Sequence, residues 1–352
     1  MPITILVFLL ILIVLVLVHE LGHFVTAKLS GVKVEEFGLG FPPRLLAIKR
    51  GETVYSLNAI PLGGFTKMVG EEDPSQPRSL ASQKRPTRIL ILSAGSLMNL
   101  LLPFLLFTVS LMVPHDLPVG EVLITSVAPD SPAAKAGLVA GDAFLSINGR
   151  LIQNSVDLSR NTDLKLGQEI ALEVKKSDNT TRTVKLVPRW QPPPPQGPMG
   201  VGISMPKVTW VRQSEPFWRA IPQGFVTCAE TFVLYKNEII KWIIGASAPS
   251  VVGPVGMAQM TGEFIQAGLS PLLQFAAFMS LFLGIINLFP LPALDGGRIA
   301  FVVLEWLRGG KRISPKKEGL VHLIGFVLLI IFSLLVTYQD IIRIISGGSL
   351  TP

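Results

Sequence analysis

Four stretches of the chain stay apolar for long enough to cross a bilayer. A hydrocarbon core of about 30 Å, at about 1.5 Å per helical residue, needs roughly 20 apolar residues. Residues 3–27, 89–113, 264–294 and 319–339 each meet that length. The first of them is interrupted by His19, Glu20 and His23. It lacks a basic leader and a small-x-small cleavage site and outlasts a signal-peptide core, so it is expected to remain as a helix.

Between these stretches the pattern changes. Short alternating runs at 121–127 and 169–174, separated by turn signals, predict a small β-rich domain over 117–190. Four consecutive prolines at 192–195 cannot join a sheet and read as a stiff linker. Residues 215–245 mix Phe217, Trp218, Ile221, Phe225 and Trp242 with Arg219, Glu230, Lys236 and Lys241, which predicts a helix lying at the membrane interface sooner than a fifth crossing. The organisation expected is thus a membrane part over 1–116, an inserted domain over 117–190, a linker with interfacial helices over 191–263, and a second membrane part over 264–352.

Charge orients this arrangement. Ten basic residues lie between the first two spans, and Arg298, Arg308, Lys311, Arg312, Lys316 and Lys317 follow the third. By the positive-inside rule both segments face the cytoplasm, which leaves the termini and the inserted domain outside. Only 16% of residues are charged, against about 25% in soluble domains, and the mean hydropathy is +0.52. The net charge of +7 therefore suits cytoplasmic membrane loops, and no basic and aromatic stripe points to nucleic acid. The one cysteine, Cys228, excludes an internal disulfide and a Cys-based zinc site. It reads as a small packed hydrophobe. A metal would have to be held by His and carboxylates.

His19-Glu20-Leu21-Gly22-His23 supplies such ligands, because imidazoles four residues apart share one helical face and the intervening glutamate can activate water. This spacing would arise by chance roughly 0.002 times in a chain of this composition. Ionisable groups inside a spanning helix are costly and mark function. A catalytic zinc site takes a third protein ligand. Asp295 is the only acid within the third apolar stretch or at its immediate end, in Asn287-Leu-Phe-Pro290-Leu-Pro292-Ala-Leu-Asp295-Gly296-Gly297. Its prolines and glycines should break the helix, and irregular backbone at membrane depth is tolerated only against protein or a water cavity. The alternative is that Asp295 merely caps a helix.

The two motifs resemble those of the site-2 proteases, intramembrane zinc metalloproteases, over nearly the whole chain. The resemblance implies a polytopic α-helical membrane protein of about four transmembrane helices, with a membrane-associated β-hairpin and one inserted PDZ-like α+β domain. It implies one Zn2+ held by His19, His23 and Asp295, with Glu20 as general base and Asn287 steadying the substrate backbone or the developing oxyanion. Gly63, Gly64 and Phe65, in Pro61-Leu-Gly63-Gly64-Phe65-Thr-Lys67-Met68, look like the family's substrate-gripping edge, where β-augmentation would hold an extended peptide. The competing view is an ordinary cytoplasmic hairpin. Ala94-Gly95-Ser96-Leu-Met-Asn99 resembles a family segment in which proline often stands where Ser96 does, which puts a kink there in doubt. Asn99 is equally open to a role as interhelical glue.

Residues 119–150 look like a bacterial PDZ domain, with Gly200-Val-Gly202-Ile203 as a candidate final strand or carboxylate loop. Such a groove could take a peptide or a free C-terminus, or act as a steric filter. The implied partners are the lipid bilayer and single-span membrane proteins such as anti-sigma factors or signal-peptide remnants. The implied location is the inner (cytoplasmic) membrane, with the active site towards the cytoplasm and the PDZ-like domain outside. His115 and His322 sit at span ends and read as interfacial packing. Ala276, Ser280 and Gly284 read as a helix-packing face. Two rival functions stay open: a membrane zincin working at the surface, with Glu263 or Glu305 as third ligand, and a non-enzymatic PDZ-bearing scaffold or metal carrier.

Overall fold

In the computed structural model, which describes residues 2–71, 73–248 and 251–346, the chain forms two compact units. One comprises Met1–Ser110 with Val251–Pro352, and the other Leu111–Ser250. Helix α1 (Pro2–Leu29) is apolar all round, yet it buries only Phe8, Leu15, His19, Gly22, His23 and Ala27. Those positions recur at helical spacing and form one stripe against protein. The rest of its surface suits lipid.

Strands β1 (Val34–Arg50) and β2 (Thr53–Met68) form more than a hairpin. Arg44–Arg50 pairs with Thr53–Asn58, as a hairpin should, but Val54–Leu57 also lies against Glu36–Leu39, which in turn pairs with Gly64–Met68. Both strands bend, β1 at Pro42-Pro43, where no N–H is available for a ladder, and β2 between Ile60 and Gly64. The result is four rows of backbone. Gly64–Met68 is an edge, paired on one side only among the described residues. Glu52, in the turn, accepts from Lys28 at 3.0 Å and Arg78 at 2.6 Å, tying the turn to the end of α1. Those hydrogen bonds, Arg78 foremost, hold the pKa of its carboxyl down to about 2.

Helix α2 (Arg85–Met112) continues through Ser96 unbroken. With serine in place of proline, the backbone N–H needed for helical bonding is retained.

In the second unit, β3 (His115–Val119) is followed by β4 (Val122–Val127), α3 (Pro132–Lys135), β5 (Ala143–Ile147), β6 (Arg150–Leu151), α4 (Ser155–Asp163), β7 (Ile170–Lys175), β8 (Thr181–Leu186), β9 (Val201–Ser204), β10 (Thr209–Gln213) and α5 (Phe217–Ile243). One sheet runs β8-β7-β5-β4-β9 with β6 on β5, and β10 pairs with β3 in a separate ribbon. Alternate residues Ile170, Leu172 and Val174 point into a core with Val122, Ile124, Phe144, Ile147 and Leu158. The unit does not stop at 190. Val201–Ser204 is its edge strand on β4, and α5 is fastened to it by Arg150 and Arg160 on Glu230 and by Asn237 Nδ2 donating to Asp163 O at 2.7 Å.

The first unit resumes with α6 (Pro254–Ala267), α7 (Leu269–Leu288), α8 (Asp295–Leu307) and α9 (Pro315–Ile345). The apolar stretch expected at 264–294 is therefore not one helix: Gly268, at φ +113°, ends α6 before α7 starts. The boundary expected at 264 moves to 251, because α6 packs with the membrane helices. There Gly256 N donates to the buried Asp340 of α9 at 2.8 Å. Among the described helices α1, α2, α7 and α9 are long and apolar enough to cross a membrane, and α5 is not one of them.

Candidate metal centre

Helical geometry places His19 and His23 one turn apart on the buried stripe of α1, and the loop after α7 brings Asp295 to them. His19 Nε2 and His23 Nε2 lie 3.2 Å apart. Asp295 Oδ2 lies 3.1 Å from the first and 3.2 Å from the second. Tetrahedral ligands at about 2.0–2.1 Å from a zinc ion would stand roughly 3.3 Å from one another, so this triangle has the size a zinc site requires.

Tautomers fit as well. His23 Nδ1 sits 2.8 Å from Ile91 O and must donate to it, which frees the Nε2 lone pair. His19 Nδ1 faces the Asn99 amide at 3.4 Å. Asn99 Oδ1 is buried without a partner among the described residues. A half-turn of that amide would let Oδ1 accept from His19 Nδ1, leaving the second Nε2 lone pair free too. Asn99 therefore sits behind a candidate ligand. Its backbone oxygen also accepts from Ser280 of α7 at 2.8 Å, so the interhelical packing expected of it is present as well.

Small residues allow this convergence. A Cβ on Gly95 would collide with Nε2 of His23 and stand 2.8 Å from Nε2 of His19, so α2 reaches the centre only because that position is glycine. Gly64 does the same for the edge strand, where a Cβ would press on Glu20 Cγ and Val16 Cγ1 at 3.0 Å. The close approach allows Thr66 Oγ1 to donate to Glu20 Oε2 at 2.8 Å.

The loop 289–294 contains Pro290 and Pro292 and cannot be helical. Leu291 N donates to Phe289 O at 2.7 Å and Leu294 N to Leu291 O at 3.2 Å, while Ala293 adopts φ +72°. Gly296 and Gly297 lie so close to the carbonyls of Leu288, Phe289 and Leu291 that side chains there would collide. Asp295 thereby opens α8 beside the two imidazoles, where a carboxylate also suits the helix N-terminus.

A cavity of about 600 Å³ adjoins the centre, lined by Glu20, His23, Asp295, His322 and the strand Gly64–Met68. Gly64 and Phe65 line it. Gly63, at φ +114°, lies against the Phe41 ring instead. Asn287, in the last turn of α7, is not among the described residues lining it. Glu305 is not near the imidazoles as a third ligand. It is buried, with Oε2 2.6 Å from Arg88 and Oε1 3.4 Å from Arg85 and Arg312. Burial would push its carboxyl up, but the Arg88 hydrogen bond and charge hold it below the ordinary range. Thr66 and His322 were not singled out as site residues from sequence. A lone polar residue in a strand or apolar helix carries no spacing signal.

Comparison with known proteins agrees with this chemistry. The sequence profile of peptidase family M50 matches residues 7–332. A Clostridium perfringens protein classed by name among zinc metalloproteases is 40% identical, over 93% of this chain and 95% of that one. The zinc metalloprotease RasP of Geobacillus kaustophilus is 28% identical over 93% and 95%. The regulator of sigma-W protease RasP of Bacillus subtilis is 27% identical over 97% and 99%. With four span-competent helices around the triad, the chain belongs to peptidase family M50, the site-2 proteases, and is an integral membrane zinc metalloprotease.

Proposed function

We propose that His19, His23 and Asp295 hold the zinc, that Glu20 is the general base and later the proton donor, and that the substrates are single-span membrane proteins cut within or near their transmembrane segment. The observation that carries this is the triangle of two imidazole nitrogens and one carboxylate oxygen, 3.1–3.2 Å on a side, beside Glu20 and a cavity bounded by a strand edge with no partner among the described residues. The bound metal would supply a Lewis acid for the scissile carbonyl and lower the pKa of the attacking water towards about 7. Glu20 takes that water's proton and returns it to the leaving amine. Thr66 holds one oxygen of the Glu20 carboxylate, which leaves the other for the proton.

A helical substrate has its carbonyls hydrogen-bonded and must unwind before it can react. The free edge Gly64–Met68 offers backbone groups to the extended segment so produced. The basic loops favour a cytoplasmic active site in the inner membrane, with unit 111–250 outside. That unit reads as PDZ-like: β9 and α4 border a groove lined by Leu158, Thr162, Gly200, Val201 and Ile203, suited to a free C-terminus or to screening substrates by size. Anti-sigma factors fit the named role of the Bacillus subtilis relative, and signal-peptide remnants fit the same chemistry.

The test is cleavage of a model single-span substrate by the purified chain in proteoliposomes. Cleavage should stop on chelation, return with zinc, and be absent in Glu20→Gln although zinc stays bound. Normal turnover by Glu20→Gln would refute the mechanism.

A further inference from the structure

His322, in α9, was expected to do no more than pack at the membrane interface. The structure gives it a more particular place. Its Nδ1 accepts the backbone N–H of Ala293 at 3.0 Å, two residues before Asp295. Its ring packs against Phe301 of α8, six residues after Asp295, with centroids 5.5 Å apart. One histidine therefore touches the chain on both sides of the carboxylate.

Three further observations bear on this contact. Ala293 has φ +72°, a conformation that an L-residue holds only when its surroundings impose it. Gly325, one turn along α9 from His322, is moulded to the same loop: a Cβ there would collide with Pro292 Cβ and stand 2.9 Å from the Pro292 carbonyl. Since Nδ1 accepts, the neutral ring carries its proton on Nε2, and Nε2 is buried without a partner among the described residues. An unsatisfied buried donor is destabilising. An apolar side chain would avoid that cost, so the contribution of an imidazole here lies in the acceptor it gives Ala293.

We propose that His322 is a positioning residue for the zinc site: by accepting the Ala293 N–H it fixes the turn that aims Asp295 at His19 and His23. The inference rests on Asp295 being a ligand. Supporting groups behind metal ligands typically set affinity by 10–100-fold.

The experiment compares zinc affinity, by competition with a chelator in detergent, for wild type, His322→Asn, His322→Gln, His322→Leu and Asp295→Ala. Asparagine places an amide oxygen near the position of Nδ1, whereas glutamine reaches towards Nε2. His322→Asn should stay within about threefold of wild type, while His322→Gln and His322→Leu should lose roughly tenfold or more. In zinc-free protein, hydrogen exchange of the segment 289–296 should speed up in the same two variants and stay slow in His322→Asn. Should His322→Leu not fold, the asparagine and glutamine pair decides. Wild-type affinity in His322→Gln, with zinc lost in Asp295→Ala, would overturn the role of His322 and leave the ligand set standing. Zinc retained by Asp295→Ala would overturn the ligand assignment, and this proposal with it.

Discussion

Two buried polar clusters lie along α8, and they are built on opposite principles. At the third turn, Glu305 meets Arg88, Arg85 and Arg312. At the first residue, Asp295 meets two imidazoles whose Nε2 atoms stand 3.1 and 3.2 Å away. In the first cluster one carboxylate faces an excess of guanidinium charge, which leaves no place for a cation. The second gathers one carboxylate oxygen and two imidazole nitrogens within 3.2 Å of one another, the spacing of a tetrahedral zinc site. Both join distant parts of the chain, but one has the form of a clamp and the other is the proposed ligand set.

Substitutions at the two ends of α8 should therefore behave differently. The largest effect is expected from Asp295→Ala. Zinc affinity should fall by two orders of magnitude or more and cleavage should vanish, while the zinc-free protein melts no lower than zinc-free wild type. Metal content and thermal melts of the same preparations check this. A variant that kept its zinc would make the two clusters alike.

Glu305→Gln should act the other way. Leaving Arg88 buried without its carboxylate costs about 3–5 kcal/mol, so the melting temperature should drop while zinc stays bound. The double variant Arg88→Met with Glu305→Leu should recover much of that loss, since apolar replacements of buried pairs are often neutral. The pH dependence has a definite sign. Glu305 is depressed in the folded chain, so its contribution is complete above the unfolded value of about 4.3 and is lost as the pH falls through the lower folded one. Melting should therefore decline less with acidification in Glu305→Gln than in wild type. Zinc loss from Glu305→Gln with unchanged melting would reverse the assignment.

The convergence proposed as the ligand set was legible in the sequence, and the clamp was not, for a physical reason. Two histidines at i and i+4 must share a face whatever surrounds them, and the prolines and glycines around Asp295 declare a broken helix. Arg88 and Glu305 carry no comparable mark, because their pairing depends on how α2 and α8 pack. The same distinction explains the strands. The family resemblance implied a hairpin, but its doubling into four rows follows from bends at Pro42-Pro43 and after Ile60, whose directions no local pattern marks. It also explains Asn99, whose place behind His19 could not be told from interhelical glue by composition alone.

The finest distinction between scaffold and centre falls on Thr66. Its hydroxyl donates to Glu20 Oε2 at 2.8 Å and approaches the Glu20 backbone oxygen at 3.1 Å, so it belongs at once to the strand and to the proposed base. A hydrogen bond to a charged group is worth about 1.5–3 kcal/mol. Only the part that differs between ground and transition states reaches the rate, so Thr66→Val should lower kcat about tenfold with KM nearly unchanged. Thr66→Ser, which keeps the hydroxyl, should recover most of the loss, and zinc content should be equal in all three proteins. A raised KM at normal kcat would instead assign Thr66 to holding the edge strand for substrate. Steady-state cleavage of one model substrate by the three proteins separates a residue that orients the base from one that only docks a strand.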